Sequence, residues 1–442
     1  MYDAIFTEQL ETPAVVLVNE GFGFDARSAA SGKGMPGVRV VPETVPCECT
    51  VPERITNGVR AAMDDLVLAL TKPLTAEERS PAPRELDGAT GIVFKGDVRE
   101  VQEFYYRRGW TDGLPVNPPT EDAVREMLTG TDLPADHLVG KMIPRQGKVT
   151  VEKIAVNAVM AGALPTYMPL LIAGVEALLD PKAGFGTWEV STGSWAPFWV
   201  VNGPIREQLR INSGTGALSP GDIANATIGR AMGLIVKNLG GARKAREDMG
   251  VLGNPSKYTM VIGENEEANP AGWEPLHVQQ GFERDQSCLT VSFPNSYLQI
   301  WPYGSDDKGI MRALSSNMVP RWRQLTLLLP PGHAQTLVDG GWTKADVASY
   351  LYEYARVPAY RTPDFWGVPG MMRARPPLNA EDPVPLLRSP DSLRIVVVGG
   401  PGVFMGLAYG ASPWVTKPVS LPGDWESLVK KYGKLVPNHV TY

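Results

Sequence analysis

Cysteine is scarce in this chain, with three residues in 442. That is too few for a disulfide framework. The opening "MYDAIFTEQLETP" carries no basic n-region and no small-residue cleavage site, so a reducing cytoplasm is the expected compartment. Histidine is nearly as scarce: His137, His277, His333 and His439 are the four, and none stands at metal-motif spacing from the first cysteine, Cys47. Long apolar runs are missing too. No stretch reaches the about 18 uncharged apolar residues of a membrane span. No Lys/Arg run occurs and the formal net charge is −6, which argues against nucleic acid as a partner. "VGGPG" at 398–402 has neither the spacing of a dinucleotide loop nor a P-loop lysine, and reads as a tight turn. There is no G-x-S-x-G elbow, no H-E-x-x-H and no C-x-x-C. No fixed-period repeat is evident.

What remains is a soluble, globular composition, 43% hydrophobic and 20% charged, with 46 Gly and 40 Pro interspersed rather than periodic. The length allows two or three domains. Residues 1–72 read as helix, buried strand ("AVVLV"), helix, second strand ("VRVV"), Pro-flanked loop and a strongly amphipathic helix, "ERITNGVRAAMDDLVLALTKPL". That order is a piece of a parallel α/β sheet. An open α/β unit usually starts on a strand, and ligands sit at the carboxyl ends of such strands. This half-domain therefore looks like one whose first strand and loop come from elsewhere. Residues 73–92 are polar and Pro-rich and read as a linker. A larger α/β region with a mixed sheet fills 93–442. Its theme is an apolar strand running into a polar Gly- or Asn-rich loop, and such loops cluster on one edge of an α/β sheet and build its site.

Several residues are candidates for chemistry. Cys47 and Cys49 lie one residue apart in "VPETVPCECTVPERI". They read as a metal clip, as redox thiols, or as two small loop residues. Two thiolates do not complete a zinc site, and a disulfide within C-x-C is strained. In "GENEEANPAGWEPLHV", Glu264, Glu266 and Glu267 directly follow a buried strand, with His277 close behind. Carboxylates held there act as general acid and base or as hard-metal ligands; the alternative is a solvated acidic turn. Asn157, Asn202, Asn212 and Asn225 sit in or beside apolar elements. A buried amide must find partners, either in a structural network or on a substrate. Arg230, on the same helix as Asn225, is placed to pair with a substrate carboxylate.

The long polar motifs "FYYRRGWTDGLPVNPPTEDAV", "TVEKIAVNAVMAGALPTYMPLLIAGVEALL", "VNGPIREQLRINSGTGALSPGDIANATIGRAMGLIVKNLGG" and "GENEEANPAGWEPLHV" together resemble the UGSC family of (seleno)proteins, over most of the chain. The resemblance implies an N-terminal domain similar to the selenocysteine-bearing domains of glycine and proline reductases. There, a first strand ends in a selenocysteine- or Cys-Gly-Ser-Cys loop, followed by a helix and a strand into a Pro-His-Pro loop. "MYDAIFTEQLETPAVVLVNEGF" matches the part after the first loop, and "VPETVPCECT" falls where Pro-His-Pro is expected. Ala163 stands where the family tends to have a cysteine. The inference is a split protein: a short companion subunit carries the missing strand and thiol loop, and a transition metal ion held by thiolates, or redox thiols, lies between the chains. The expected function is the large subunit of a hetero-oligomeric enzyme acting on a small polar or carboxylate-bearing molecule. Reductive cleavage and metal-thiolate hydratase or lyase chemistry both remain open, as does a non-catalytic scaffold for the partner. Cys47, Cys49, Glu264, Glu266 and Glu267 are the expected catalytic groups. Asn157, Asn202, Asn225, Arg230 and His277 are the expected substrate contacts.

Overall fold

The computed structural model describes residues 1–46, 49, 51–79, 91–302, 306–321, 324–362 and 379–437. Cys47 lies outside the described residues. The N-terminal part runs α1 (Tyr2–Gln9), β1 (Val15–Asn19), α2 (Gly23–Gly32), β2 (Arg39–Glu43), α3 (Pro52–Thr71) and α4 (Ala76–Arg79). Proline at the first position of α3 costs no hydrogen bond, because that N–H has no partner in a helix. β1 and β2 pair in parallel, from Val15 opposite Arg39 to Asn19 opposite Glu43. The start of the expected linker departs from the sequence reading. α4 folds back, and the Arg39 guanidinium forks the Glu78 carboxylate at 3.0 Å on both arms while also reaching the Ala69 and Lys72 carbonyls.

The larger region continues with α5 (Val98–Arg107), α6 (Glu121–Leu128), the hairpin β3 (Leu138–Met142) and β4 (Gly147–Thr150), α7 (Val151–Ala161), α8 (Met168–Leu179) and α9 (Phe185–Trp188). Then come β5 (Phe198–Asn202), α10 (Ile205–Gln208), α11 (Ile223–Ile235), β6 (Val261–Gly263), α12 (Leu276–Gln279), β7 (Cys288–Ser292) and β8 (Pro294–Ile300). The chain goes on through α13 (Asp307–Asn317), β9 (Gln324–Leu329), α14 (Pro331–Asp339), α15 (Lys344–Tyr354), the small pair β10 (Arg356–Pro358) and β11 (Pro383–Pro385), β12 (Leu393–Val397), β13 (Met405–Gly410) and β14 (Val415–Pro418). The helix starts carry their local signals. Thr120 and Thr150 accept from the third-residue N–H of α6 and α7, and Asp97 and Thr343 form capping boxes on α5 and α15.

Two four-stranded sheets dominate, in the orders β14-β7-β5-β6 and β12-β9-β13-β8. Alternation along the strands explains how they stack. Trp199 and Val201 turn to a core shared with Ile154, Leu171 and Ile228 of the helices α7, α8 and α11. Phe198 and Val200 turn the other way, to meet Leu328, Val396 and Val398 of the second sheet. Leu327, Leu329, Ile395 and Val397 then face Ile310, Leu337 and Leu351 of α13–α15. The result is four layers, helix–sheet–sheet–helix, an α/β fold.

The two sheets repeat one pattern. An edge strand pairs in parallel with a central strand (β6 with β5, β12 with β9). The central strand pairs antiparallel with a third (β7, β13), and the third with a fourth. The fourth strands are exchanged: β8 follows β7 but joins the second sheet, and β14 follows β13 but joins the first. This repeat lies in the topology, without a sequence period. It brings the carboxyl ends of both parallel pairs together, where the Asn265 N–H donates to the Val397 carbonyl (2.8 Å) and the Gly399 N–H to that of Ser213 (2.9 Å).

Candidate functional site

The site builds from that junction. β5 is buried along all five residues, and Asn202 is its last. Gly203 follows with φ +79°, and a side chain there would strike the Gln286 backbone, so glycine is required for the turn. One turn of helix on, Arg206 points back and is 4% exposed. β6 ends at Gly263 beside Val201, which delivers Glu264 next to Asn202. β7 begins at Cys288, directly opposite Asn202.

The side chains form one network. Asn202 Nδ2 donates to Glu264 Oε2 (2.7 Å) and Glu266 Oε1 (2.9 Å). The Leu276 N–H donates to Glu264 Oε2 (2.7 Å) and the Gly203 N–H to Glu266 Oε1 (2.8 Å). The Arg206 guanidinium forks Glu267 (2.7 and 3.1 Å), lies 3.1 Å from Glu266 Oε1 through Nε, and donates to the Glu264 carbonyl (2.7 Å). That pairing holds the Glu267 carboxyl below the usual range. His277 Nε2 lies 3.3 Å from the Arg284 carbonyl, and its Nδ1 lies 3.9 Å from Glu266 Oε1. Lys344, the first residue of α15, sends Nζ to the Glu274 carbonyl (2.7 Å), the Ile395 carbonyl (3.0 Å) and within 3.5 Å of Glu264 Oε1. Burial lowers its pKa, against the pull of Glu264. Burial, with Glu266 nearby, pushes the Cys288 thiol up to about 12; it is a protonated thiol at neutral pH. Asn202, Glu264 and His277 are 0% exposed. Three of their atoms lack a hydrogen-bond partner: Asn202 Oδ1, Glu264 Oε1 and His277 Nδ1.

Five of the residues singled out from sequence thus meet: Asn202, Glu264, Glu266, Glu267 and His277. Arg206, Cys288 and Lys344 join them and were not singled out for a site. Arg206 left a signal, a charged residue four positions beyond a buried strand. Lys344 left none, since only the second sheet brings α15 there.

Asn157, Asn225 and Arg230 stand elsewhere, with protein partners. Arg230 forks Asp112 (2.8 and 3.0 Å) and donates to the Pro115 carbonyl. Asn225 accepts from the Asn212 N–H (2.8 Å) and donates to the Val261 carbonyl (2.9 Å). Asn157 donates to the Lys153 carbonyl and accepts from Asn238, which also holds the Trp110 carbonyl. Arg230, Asn157 and Asn238 fasten the turn around Trp110–Pro115 to α7 and α11, whereas Asn225 ties β6 to the loop at Asn212. Cys49 has a partly exposed thiol, and its N–H donates to the Pro46 carbonyl. Among the described residues, no hydrogen bond or ion pair joins it to the Asn202–Glu264 network, and no group of three or more His, Cys, Asp or Glu is arranged to hold a metal ion. No described helix is long and apolar enough to cross a membrane.

No family model matches the chain, and no curated protein or solved structure matches it either.

Proposed function

We propose that this chain is the large subunit of a hetero-oligomeric enzyme whose substrate site lies at the converging strand ends, around Asn202, Glu264, Glu266 and His277. The observation that carries the reading is the buried Asn202 amide shared between two carboxylates. One fixed donor holds Glu264 and Glu266 side by side, and the hydrogen bond from Gly203 and the ion pair with Arg206 fix the Glu266 carboxylate in place. A carboxylate so held accepts a proton from the substrate and, once protonated, returns it. Proton abstraction paired with proton return is the chemistry of adding or eliminating water. It needs no electron donor, which favours a hydratase or lyase over a reductase.

The hetero-oligomeric part draws on the N-terminal unit. α3 has a single buried residue, Ala62, and presents Ile55, Val59, Met63, Val67 and Leu70 on its surface. A 20-residue amphipathic helix with its apolar stripe in water fits a helix that is covered in the working assembly. In this reading a short companion chain, bearing a strand and a thiol loop, covers it. Cys47 and Cys49 would serve there as metal ligands or redox thiols.

The test is the complex purified with its companion chain, screened for hydration and elimination on small polar substrates. Glu264→Gln and Glu266→Gln should each lower turnover by about 10²–10⁴ with the fold retained. Full activity in both variants would refute the acid–base assignment. Metal analysis of the same complex, with Cys47→Ser and Cys49→Ser, separates a metal site from cycling thiols. A large chain that purifies alone and active would remove the companion subunit.

A further inference from the structure

The network's unpaired atoms say which end of a substrate it receives. Each of the three is an acceptor, and its role is fixed by its neighbours. The Asn202 amide cannot be turned over, because Nδ2 sits 2.7 and 2.9 Å from two carboxylate oxygens and only an N–H satisfies both. Its free atom is therefore the carbonyl Oδ1. His277 Nε2 faces the Arg284 carbonyl, which only accepts, so the ring proton sits on Nε2 and Nδ1 offers a lone pair. Glu264 Oε1 is a carboxylate oxygen whose nearest cation, Lys344, stands off at 3.5 Å and is held by two carbonyls. All three atoms are buried without a donor, a condition native interiors avoid unless something else supplies the hydrogen bonds.

The charges agree. Three carboxylates, Glu264, Glu266 and Glu267, meet two cations, Arg206 and Lys344, which leaves one negative charge in excess. Neither arginine that a substrate carboxylate would use is free: Arg206 is forked onto Glu267 and Arg230 onto Asp112.

We propose that Asn202 Oδ1, Glu264 Oε1 and His277 Nδ1 form the subsite for a nitrogen donor group of the substrate, a primary ammonium, amidine or carboxamide N–H. This rests on reading the network as the substrate site. The N–H bonds of such a group supply what these acceptors lack, up to three from an ammonium, which also balances the excess charge. Glu267 is the network's exposed member, with a side chain 56% exposed against 10% for Glu266.

Calorimetric titration of the full chain with propylammonium chloride and, separately, sodium propionate tests this. Propylammonium should bind, and His277→Leu should weaken it at least about tenfold. Should His277→Leu fail to fold, Glu264→Gln, which keeps the shape and exchanges an acceptor for a donor, should give the same loss. Propionate binding without propylammonium binding would overturn the donor subsite and leave the substrate site standing. Binding of neither would overturn both and make the network a structural clasp. Propylammonium binding unchanged in the variants would place it elsewhere and overturn the subsite.

Discussion

The two parts of this chain achieve burial on different terms. In the four-layer region both strands of each parallel pair are covered on both faces, and β5 and β7 are buried at every residue. That is the normal condition of parallel strands. In residues 1–79 the parallel pair β1–β2 is half-exposed along β1. Its core cluster is only Ile5, Ala30 and Val38, with a few neighbours, and a two-stranded sheet is marginal on its own. The large region closes its own core. The N-terminal unit relies on what it leans against: α2 docks on the large region, and the stripe of α3 is left open.

The largest effect that separates the two parts should come from their arginine hubs. Arg206 is buried among Glu264, Glu266 and Glu267, and Arg206→Met leaves those carboxylates uncompensated. We expect a loss of about 3–5 kcal/mol in urea unfolding of the large region. Arg39→Met breaks a more exposed fork to Glu78 and should cost about 1–2 kcal/mol. Equal losses would mean that the N-terminal unit is as tightly built as the rest.

Docking of α2 comes next. Gly32 lies so close to the Pro144 carbonyl oxygen that any Cβ would overlap it. Gly32→Val should weaken docking by about 1–3 kcal/mol, exposing residues 1–79 to protease while the unfolding midpoint of the large region stays put. A matching fall in that midpoint would show the two parts to be one cooperative unit. Smaller still is the effect of polar residues on the open stripe. Val59→Asp with Met63→Asp should change the stability of the isolated chain by no more than about 0.5 kcal/mol while abolishing capture of the companion subunit proposed above. Substantial unfolding would mean that the stripe already packs within the chain.

The same contrast decides what the sequence made legible. Strands such as "FWVVN" and the Thr-capped helices were readable because period and caps are local. The meeting of Asn202 with Glu264–Glu267 was readable because polar residues at the ends of apolar strands gather on one edge of an α/β sheet. Asn225 and Arg230 carried the same apparent signal from helix interiors, and the structure gives them structural partners, because a buried helix that holds a distant turn also needs polar groups. Lys344 and Cys288 were not legible as site residues. Cys288 is placed by the antiparallel pairing of β7 with β5 and Lys344 by the stacking of the second sheet on the first, and such long-range contacts leave no mark in local pattern.

The last effect is set by pH at the docking face. Ser28 of α2 donates to Glu247 (3.0 Å), and Phe24 lies under the Arg243 and Arg246 guanidiniums. Around them stand Tyr2, Asp25, Glu189, Asp248 and Lys257, with the chain's amino terminus nearby. Burial, then Glu247, raises the Asp25 carboxyl from 3.8 to about 6. Glu189 is buried with neither carboxylate oxygen hydrogen-bonded, and burial raises it well above its usual value. Glu247 runs the other way: burial raises it, but its pairing with Arg243 lowers it overall. That pairing lies within the large region and does not depend on docking. A raised carboxyl holds its proton better docked than free, so the docked state binds more protons and loses stability as pH rises. Asp25 places that loss between about pH 4 and 6. Hydrogen exchange of α2 should therefore quicken from pH 5 to pH 7, beyond the intrinsic rate. Asp25→Asn should flatten the trend, since an amide cannot ionise. Docking that tightens with rising pH would mean that the Ser28–Glu247 hydrogen bond, which also lowers the Glu247 carboxyl, rather than the raised Asp25, governs the contact between the two parts.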